Sequence, residues 1–549
     1  MTPRPAATLI LLRPAGGGLE TLLLQRTQEA AFLGGAYVFP GGSLDPADAT
    51  TRRVVGLSDA QANQRLNLPA GALAYYAAAV RECFEEAGVL LAVERDGRPV
   101  DAPRARALLP LRERFYELLE QEDLYIPAAA LAYYGHWVTQ PGRSRRFDTR
   151  FFVALAPEGQ EGAYDATEHI HQLWTTPHAA LQRGERGEIE LVYATRQTLQ
   201  DIARFDAPRA AFEYAAGLVE IPANRACHAQ GTAGERVFRR GDPPYHEIHW
   251  CDPQETGQTS YDLLPGVPKR LDRLTTRLTA PNPGMMTGPG TNTYLVGQDA
   301  LTVIDPGPAI DAHIERILAF PNIKWVLCTH THLDHSPAAA AIRAATGAKI
   351  LGRPAPKGQD ASFAPDEVLE DGQRIALGSL TLKALHTPGH ASNHLCYLLE
   401  ETRMLFTGDH VMQGSTVVIN PPDGNMRAYL ASLERLLDED IAILAPGHGY
   451  LIGEPRHEIR RLVAHRMKRE RKVIHALETL GKASVEQLVP LAYDDVPSRL
   501  HGWAARSLTA HLHKLVGDGV ARAEGALFAL VQSARRPEEP PLPPQESRP

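Results

Sequence analysis

Cysteine is scarce in this 549-residue chain: Cys83, Cys227, Cys251, Cys328 and Cys396 stand far apart, and none forms a CxxC pair. That excludes a disulfide framework and a thiolate zinc ribbon. Long apolar runs are missing as well. Nothing approaches the roughly 18 consecutive apolar residues that cross a bilayer, so no membrane partner is expected. The short run from Ala6 to Leu12 reads as a first strand rather than as the core of a secretory signal. Nor is there an excess of positive charge. A net charge of −8 argues against a protein that coats nucleic acid non-specifically, while leaving room for a local basic face. No internal repeat is visible, and the cytoplasm is the expected compartment.

What is present is ordinary globular material, with 44% apolar and 22% charged residues. The length calls for two to four domains. Near the N-terminus two strands, 7–12 and 20–26, flank the turn Gly16-Gly17-Gly18, and "YVFPGG" comes next at 37–42. Residues 71–90 read as a helix ending near Gly88, and 145–155 as a strand. Residues 226–265 are rich in Gly, Pro, His and charge, with little periodicity, and suggest a linker or domain seam. From about 266, strands at 291–297, 301–307 and 325–330 alternate with helices at 309–319 and 336–346, the pattern of an α/β layered fold. A strongly basic helix begins near 456. Two shorter helices and an apolar hairpin at 520–531 come after it, and a Pro- and Glu-rich tail at 536–549 is expected to be disordered.

The densest chemistry lies in "THTHLDH", residues 329–335. Imidazoles and carboxylates suit zinc and its first-row neighbours. In an extended segment leaving a strand, His330 and His332 point the same way and can clamp one ion, while Asp334 and His335 can address a second. Further ligands are available on Gly- or Pro-marked turns after apolar segments. "LHTPGHASNH" offers His390, flanked by His386 and His394. "MLFTGDH" offers Asp409, next to His410. "LAPGHG" offers His448, and "VIDPG" offers Asp305.

In this order the motifs resemble the metallo-β-lactamase superfamily across about 270–455. The resemblance implies a four-layer αβ/βα sandwich and two zinc ions. It assigns His330, His332 and His390 to one ion, Asp334, His335 and His448 to the other, and Asp409 to the bridge. A bridging aspartate in "FTGDH" looks more like the thioesterase and nuclease branches than like true β-lactamases. The shared chemistry is a metal-ionised water attacking carbon or phosphorus.

Downstream, "HRMKRERK" at 465–472 places Arg466, Lys468, Arg469, Arg471 and Lys472 around much of a helix, and a winged-helix pattern comes after it. Together with "GTNTY" at 290–294, this resembles the beta-lactamase-like endoribonuclease branch, whose substrate is single-stranded RNA. Basic groups beside a dinuclear site would bind phosphates. No aromatic stacking set accompanies them.

A second candidate site lies in "RECFEEAGV", residues 81–89. Glu82, Glu85 and Glu86 share one helix face, where like charges repel unless a cation neutralises them. Such oxygen ligands suit Mg²⁺ or Mn²⁺. With "FPGG" at 39–42, the stretch resembles the Nudix box, in its peroxisomal coenzyme A diphosphatase-like branch. The resemblance implies an α/β/α sandwich, metal-holding Glu82, Glu85 and Glu86, and Arg81 as the residue that orients them; Glu168 is a candidate general base. Two departures stand out. The spacing from Gly42 to Arg81 is longer than in the box, so that the box's first glutamate falls on Leu73, and Ala31 stands where the coenzyme A signature has arginine.

The sequence therefore predicts a multidomain α/β and α+β hydrolase. Its parts are a Nudix-like domain at 1–225, the seam at 226–265, a metallo-β-lactamase-fold domain at 266–455, a winged-helix-like domain at 456–535 and the tail. The expected substrates are a small-molecule diphosphate at one end and a phosphodiester, single-stranded RNA foremost, at the other. A thioesterase acting on acyl-coenzyme A, and a Nudix ligand sensor regulating a nucleic-acid hydrolase, are the alternatives. Oligomeric state is left open.

Overall fold

A computed structural model describes residues 2–16, 18–28, 34–142 and 144–531, and all structural statements refer to these. Ala31 and the tail at 536–549 lie outside them. The described chain divides into two compact units, one running to Cys227 and one starting at His228.

The first unit is built on an eight-stranded mixed sheet. Strands β1 (Arg4–Ala15) and β2 (Gly18–Arg26) form the expected hairpin. β3 (Tyr37–Val38) pairs with β2, and β4 (Gly41–Ser43) with β1. Two helices, α1 (Pro46–Thr50) and α2 (Asp59–Leu66), occupy the extra length before α3 (Leu73–Ala87). The sheet continues with β5 (Ala132–Val138), β6 (Phe147–Leu155), β7 (His169–Thr175) and β8 (Ala223–Arg225). Because side chains alternate along a strand, β1 serves two cores. Ala7, Leu9 and Leu11 pack under α3, whereas Ile10 and Leu12 pack on the opposite face with Leu199, Ile202, Ala211 and Ala215. The result is the α/β/α sandwich. Helix α3 stops where the sequence suggests, on Gly88 in the left-handed conformation (φ 64°), a backbone state that favours glycine.

In the second unit, residues 228–265 carry the helix α4 (Tyr245–Cys251), whose Glu247 is wholly buried between Arg277 and Lys269. Beyond it lies a seven-stranded sheet in sequential order: β9 (Pro268–Arg270), β10 (Thr275–Thr279), β11 (Asn292–Val296), β12 (Leu301–Ile304), β13 (Ile323–Leu327), β14 (Lys349–Gly352) and β15 (Glu367–Val368). Helices α5 (Asp311–Leu318) and α6 (Ala339–Thr346) interrupt it. The second sheet has five strands: β16 (Arg374–Leu377), β17 (Leu380–His386), β18 (Leu395–Leu399), β19 (Met404–Gly408) and β20 (Ile443–Pro446), with α7 (Met426–Leu436) before the last.

Alternation again sorts the residues. Tyr294, Val296, Leu382, Ala384, Tyr397 and Phe406 meet between the two sheets. Leu295, Val303 and Val326 pack outward against Ile317 and Ile342 of the first helical layer, and Leu398, Leu405 and Leu444 against Tyr429 and Leu433 of the second. These layers make the αβ/βα sandwich.

The long helix α8 (Pro455–Leu480) ties the sandwich to a C-terminal core: Ile459 and Leu462 belong to the sandwich's outer core, while Val473, Ala476 and Leu477 belong to the C-terminal one. That last core is a winged helix made from β21 (Lys482–Ser484), α9 (Val485–Ala492), α10 (His501–Gly517), β22 (Ala521–Glu524) and β23 (Leu527–Leu530). Among the described residues no helix is long and apolar enough to cross a membrane.

Candidate metal centres

Each polar group of the second unit's candidate site sits where a buried strand ends. Asp305 comes directly after β12. The run His330 to His335 lies just past β13, His390 in the turn after β17, Asp409 at the end of β19, and His448 beyond β20. The strands β12 and β13 are parallel neighbours, as are β19 and β20, so each pair releases its loops at the same end.

These loops converge as two groups whose ligand atoms lie within 4.8 Å of one another, His330/His332/His390 and Asp334/His335/Asp409/His448. In the first group, Nδ1 of His332 is 2.9 Å from Nε2 of His330 and 3.0 Å from Nε2 of His390. In the second, Nε2 of His448 is 3.3 Å from both Asp334 Oδ2 and Asp409 Oδ1, and Nε2 of His335 is 3.4 Å from Asp334 Oδ2. Asp409 spans the two groups, because its other oxygen, Oδ2, lies 3.7 Å from His390 Nε2.

The outward-facing nitrogens are fixed by partners. His335 Nδ1 lies 2.9 Å from Asp305 Oδ2, His390 Nδ1 2.9 Å from the Val418 carbonyl, and His448 Nδ1 3.2 Å from the Gly290 carbonyl. With Nδ1 donating to these acceptors, Nε2 of each ring is the nitrogen left to face a cation. Asp305 is in turn held by the Thr329 amide at 2.7 Å and the Thr329 hydroxyl at 2.8 Å.

Three buried inward atoms, His335 Nε2, His448 Nε2 and Asp409 Oδ1, have no hydrogen-bond partner. Leaving such atoms unpaired is costly, and a cation between them removes the cost. The donor set thus fits a first-row divalent pair. Glycine is required beside it, since a Cβ on Gly447 would lie 2.7 Å from Asp409 Oδ1 and 2.8 Å from His335 Cε1.

Electrostatics separate the two groups. Burial, with His335 and His332 nearby, drives His330 well below its ordinary pKa, and burial and His390 bring His332 down to about 4. His448 goes the other way: burial opposes its charge, yet Asp409 and Asp334 raise it to about 9. His386, His394 and His410 stand outside both groups. His386 Nε2 pairs with the Ser392 carbonyl at 2.9 Å, His394 stacks on His330 with ring centroids 5.1 Å apart, and His410 is buried against Tyr429.

The basic helix spends most of its charge internally. Arg466 is buried and bonded to the Val417 carbonyl. Arg469 pairs with Asp495 at 2.7 Å, and Lys472 pairs with Asp494. Only Lys468 and Arg471 of the five point outward. The helix α10 is likewise occupied, with Ala510 in the sandwich's outer core and the Ser507 hydroxyl accepting the Ile419 amide at 3.3 Å.

In the first unit, α3 carries Glu82, Glu85 and Glu86, with Glu82 beside Gly42 and Glu86 accepting the Gly41 amide of β4 at 2.8 Å. They do not close into a group as tight as those above; among the described residues both such groups lie in the second unit. Arg81 holds two of them from behind, with Nη1 2.9 Å from Glu82 and 2.8 Å from Glu85. Its other nitrogens grip Asp48, at 2.9 and 3.1 Å, and the Ser43 carbonyl at 3.0 Å. Asp48, fully enclosed and also bonded to the Tyr116 hydroxyl, escapes the sequence reading because it comes from α1 within the inserted segment.

One arginine cannot neutralise four carboxylates. Burial, and repulsion from Glu85 against the pull of Arg81, push Glu82 up to about 7, and burial with Glu82 beside it raises Glu86 well above the carboxylate range. Such crowding calls for a cation, and the oxygen donors fit Mg²⁺ or Mn²⁺. A Cβ on Gly42 would come within 2.5 Å of Glu82 Oε1, which explains the second glycine of "FPGG". Glu168 is largely exposed and lies 3.7 Å from Arg26.

Comparison with known proteins divides the chain in the same order. The family model of the metallo-beta-lactamase superfamily matches residues 286–448, that of the NUDT19 Nudix domain residues 49–205, and that of the beta-lactamase associated winged helix domain residues 484–529. The "Beta-lactamase-like protein 2 homolog" of Caenorhabditis elegans is 31% identical over 264 residues, which cover 46% of this chain and 87% of that protein. An "Atrochrysone carboxyl ACP thioesterase" of Aspergillus chevalieri is 32% identical over 300 residues, 51% of this chain and 93% of its own. Among solved structures, a Nudix hydrolase from Alicyclobacillus acidocaldarius aligns with 28% identity over 39% of this chain and 96% of its own, at a TM-score of 0.34.

Proposed function

This chain belongs to the metallo-beta-lactamase superfamily, with a Nudix domain ahead of that fold and a winged helix behind it, and is a hydrolase; from that premise we propose that its two units run separate metal-assisted hydrolyses. The second unit cleaves thioesters of the acyl-coenzyme A or acyl-carrier type. The first cleaves the diphosphate of coenzyme A or of a nucleoside diphosphate derivative.

The observation that carries the first half is Asp409, which offers one oxygen to each of two imidazole groups while three inward atoms lack partners. His330, His332 and His390 would hold one ion, Asp334, His335 and His448 the other, with Asp409 between them. Two zinc ions suit this donor set and, when bound, supply a water that ionises near neutral pH and an acid for the developing oxyanion. Asp305, Val418 and Gly290 keep the ligand nitrogens aimed, so little reorganisation is needed when substrate arrives. In the first unit Glu82, Glu85 and Glu86 would hold Mg²⁺ or Mn²⁺, with Arg81 fixing the rotamers of Glu82 and Glu85.

Two observations favour thioester over RNA. The Aspergillus relative is named for thioester cleavage, and the charges that would bind phosphates are consumed inside α8 and its neighbours. Lys468 and Arg471, both exposed, support the RNA reading.

The test is a panel of acyl-coenzyme A, single-stranded RNA, coenzyme A and nucleoside diphosphate derivatives, offered to the zinc- and manganese-loaded protein and to His332→Ala and Glu85→Gln. Release of free thiol that disappears only in His332→Ala, and diphosphate cleavage that disappears only in Glu85→Gln, is the expected outcome. RNA cleavage without thiol release would replace the thioester assignment, and one substitution abolishing both activities would end the two-site reading.

A further inference from the structure

The two oxygens of Glu86 have different surroundings. Oε2 accepts the Gly41 amide at 2.8 Å, while Oε1 lies 3.8 Å from Nε2 of His169. His169 has no solvent exposure, and neither of its ring nitrogens has a hydrogen-bond partner. Each unpaired buried polar group costs on the order of 1–3 kcal/mol, so the ring is held at a penalty unless something else binds there.

The backbone places it deliberately. The pairing of β7 with β2 is irregular at this point: Gln25 faces His171, yet the next residue, Arg26, faces His169. A bulge of this kind re-aims a side chain, and such bulges concentrate beside active sites. Its neighbour Ile170 is turned out to solvent, 47% exposed, and His169 inward. Atoms 3.8 Å apart on separate elements also match one coordination sphere, because ligands about 2.1 Å from one ion lie roughly 3 to 4 Å from each other.

We infer that His169 is a ligand, together with Glu86 and Glu82, of the divalent ion of the first unit. The inference rests on the metal-assisted reading of that unit and deepens it. An imidazole among carboxylates makes a mixed nitrogen–oxygen site, which favours Mn²⁺ and later first-row ions over Mg²⁺.

The test uses the full chain carrying His332→Ala and His448→Ala, which removes an imidazole from each group of the second unit, with folding checked by circular dichroism. Substoichiometric Mn²⁺ is added and the bound ion is examined by electron spin echo spectroscopy. Nitrogen modulation from a coordinated imidazole is expected, and adding His169→Gln should remove it. Affinity for Mn²⁺ should then weaken by about tenfold or more, with a smaller change for Mg²⁺. If His169→Gln fails to fold, loss of the same modulation in Glu86→Gln places the imidazole beside that carboxylate. Mn²⁺ that is lost in Glu86→Gln but shows no nitrogen modulation overturns the role of His169 and leaves the diphosphatase reading intact. Mn²⁺ binding indifferent to Glu86→Gln overturns both.

Discussion

Loops after four strands of two sheets deliver the imidazoles and carboxylates of the second unit, whereas a single helix delivers Glu82, Glu85 and Glu86 of the first. The loop-built centre is aimed in advance. Its outward nitrogens are tied to Asp305, Val418 and Gly290, and its inward atoms stand idle within 4.8 Å of each other. The helix-built centre is instead held under charge stress, with Arg81 shared among Asp48, Glu82 and Glu85 and the glutamates pushed towards their protonated forms. Dispersed ligands need an accurate fold and are then nearly preorganised. Ligands on one helix need only its period, and carry a repulsion that a cation must settle.

The sharpest way to break this contrast is to remove one ligand from each centre. His332→Ala should lower thioester hydrolysis by more than about a hundredfold, and Glu85→Gln should do the same to diphosphate hydrolysis, each sparing the other activity. Separate kcat and KM measurements on both substrates check it. Next in size is Asp305→Asn, which leaves every proposed ligand in place but weakens the hold on His335. About a 10- to 100-fold loss of zinc affinity is expected, measured by competition with a chelator.

Stability against pH should separate the units by sign. Glu247 is wholly buried and depressed to about 2: burial opposes its charge, but Arg277 and Lys269 more than compensate. Its contribution is present above the ordinary value of 4.5 and fades as pH falls towards 2. Glu82, raised to about 7, works in reverse. The folded, metal-free first unit keeps its proton longer than the unfolded chain does, so stability falls as pH rises from about 4.5 to about 7. Thermal melts of metal-free protein should show one transition rising between about pH 2 and 4.5 and the other falling between about 4.5 and 7, with Mn²⁺ reversing the loss in the first unit. The smallest effect is expected from Lys468→Ala with Arg471→Ala. A change within about twofold in thioester hydrolysis sharpens the reading that α8 is structural, and a large fall in binding of single-stranded RNA would break it.

Much of the second centre is legible in the sequence because its proposed ligands follow apolar runs, with four packed into "THTHLDH" and the others announced by Gly or Pro, as in "FTGDH" and "LAPGHG". Its supports are not. The carbonyls of Val418 and Gly290 lie 28 and 158 residues from the histidines they fix, and a backbone acceptor leaves no residue-type signal. The basic run at 465–472 misleads for a related reason. Helical spacing shows where Arg466 and Arg469 emerge, but not that Val417 and Asp495 are waiting for them. The stretch 226–265 reads as a seam because α4 spans only seven residues, too few for a period to register, although Glu247 anchors it by charge. His169 is hidden differently: a bulge in β7 breaks the alternation from which its direction would be read.

The segment inserted before α3 carries a last consequence. Asp48 is the enclosed counterweight of Arg81, and it enters through α1, which occupies the added length. Trimming the chain back to the shorter spacing would therefore not restore a simpler enzyme but would strand a guanidinium beneath its own carboxylates. The inserted segment and the helix it precedes, with Leu73 at the place of the box's first glutamate, have to be inherited together.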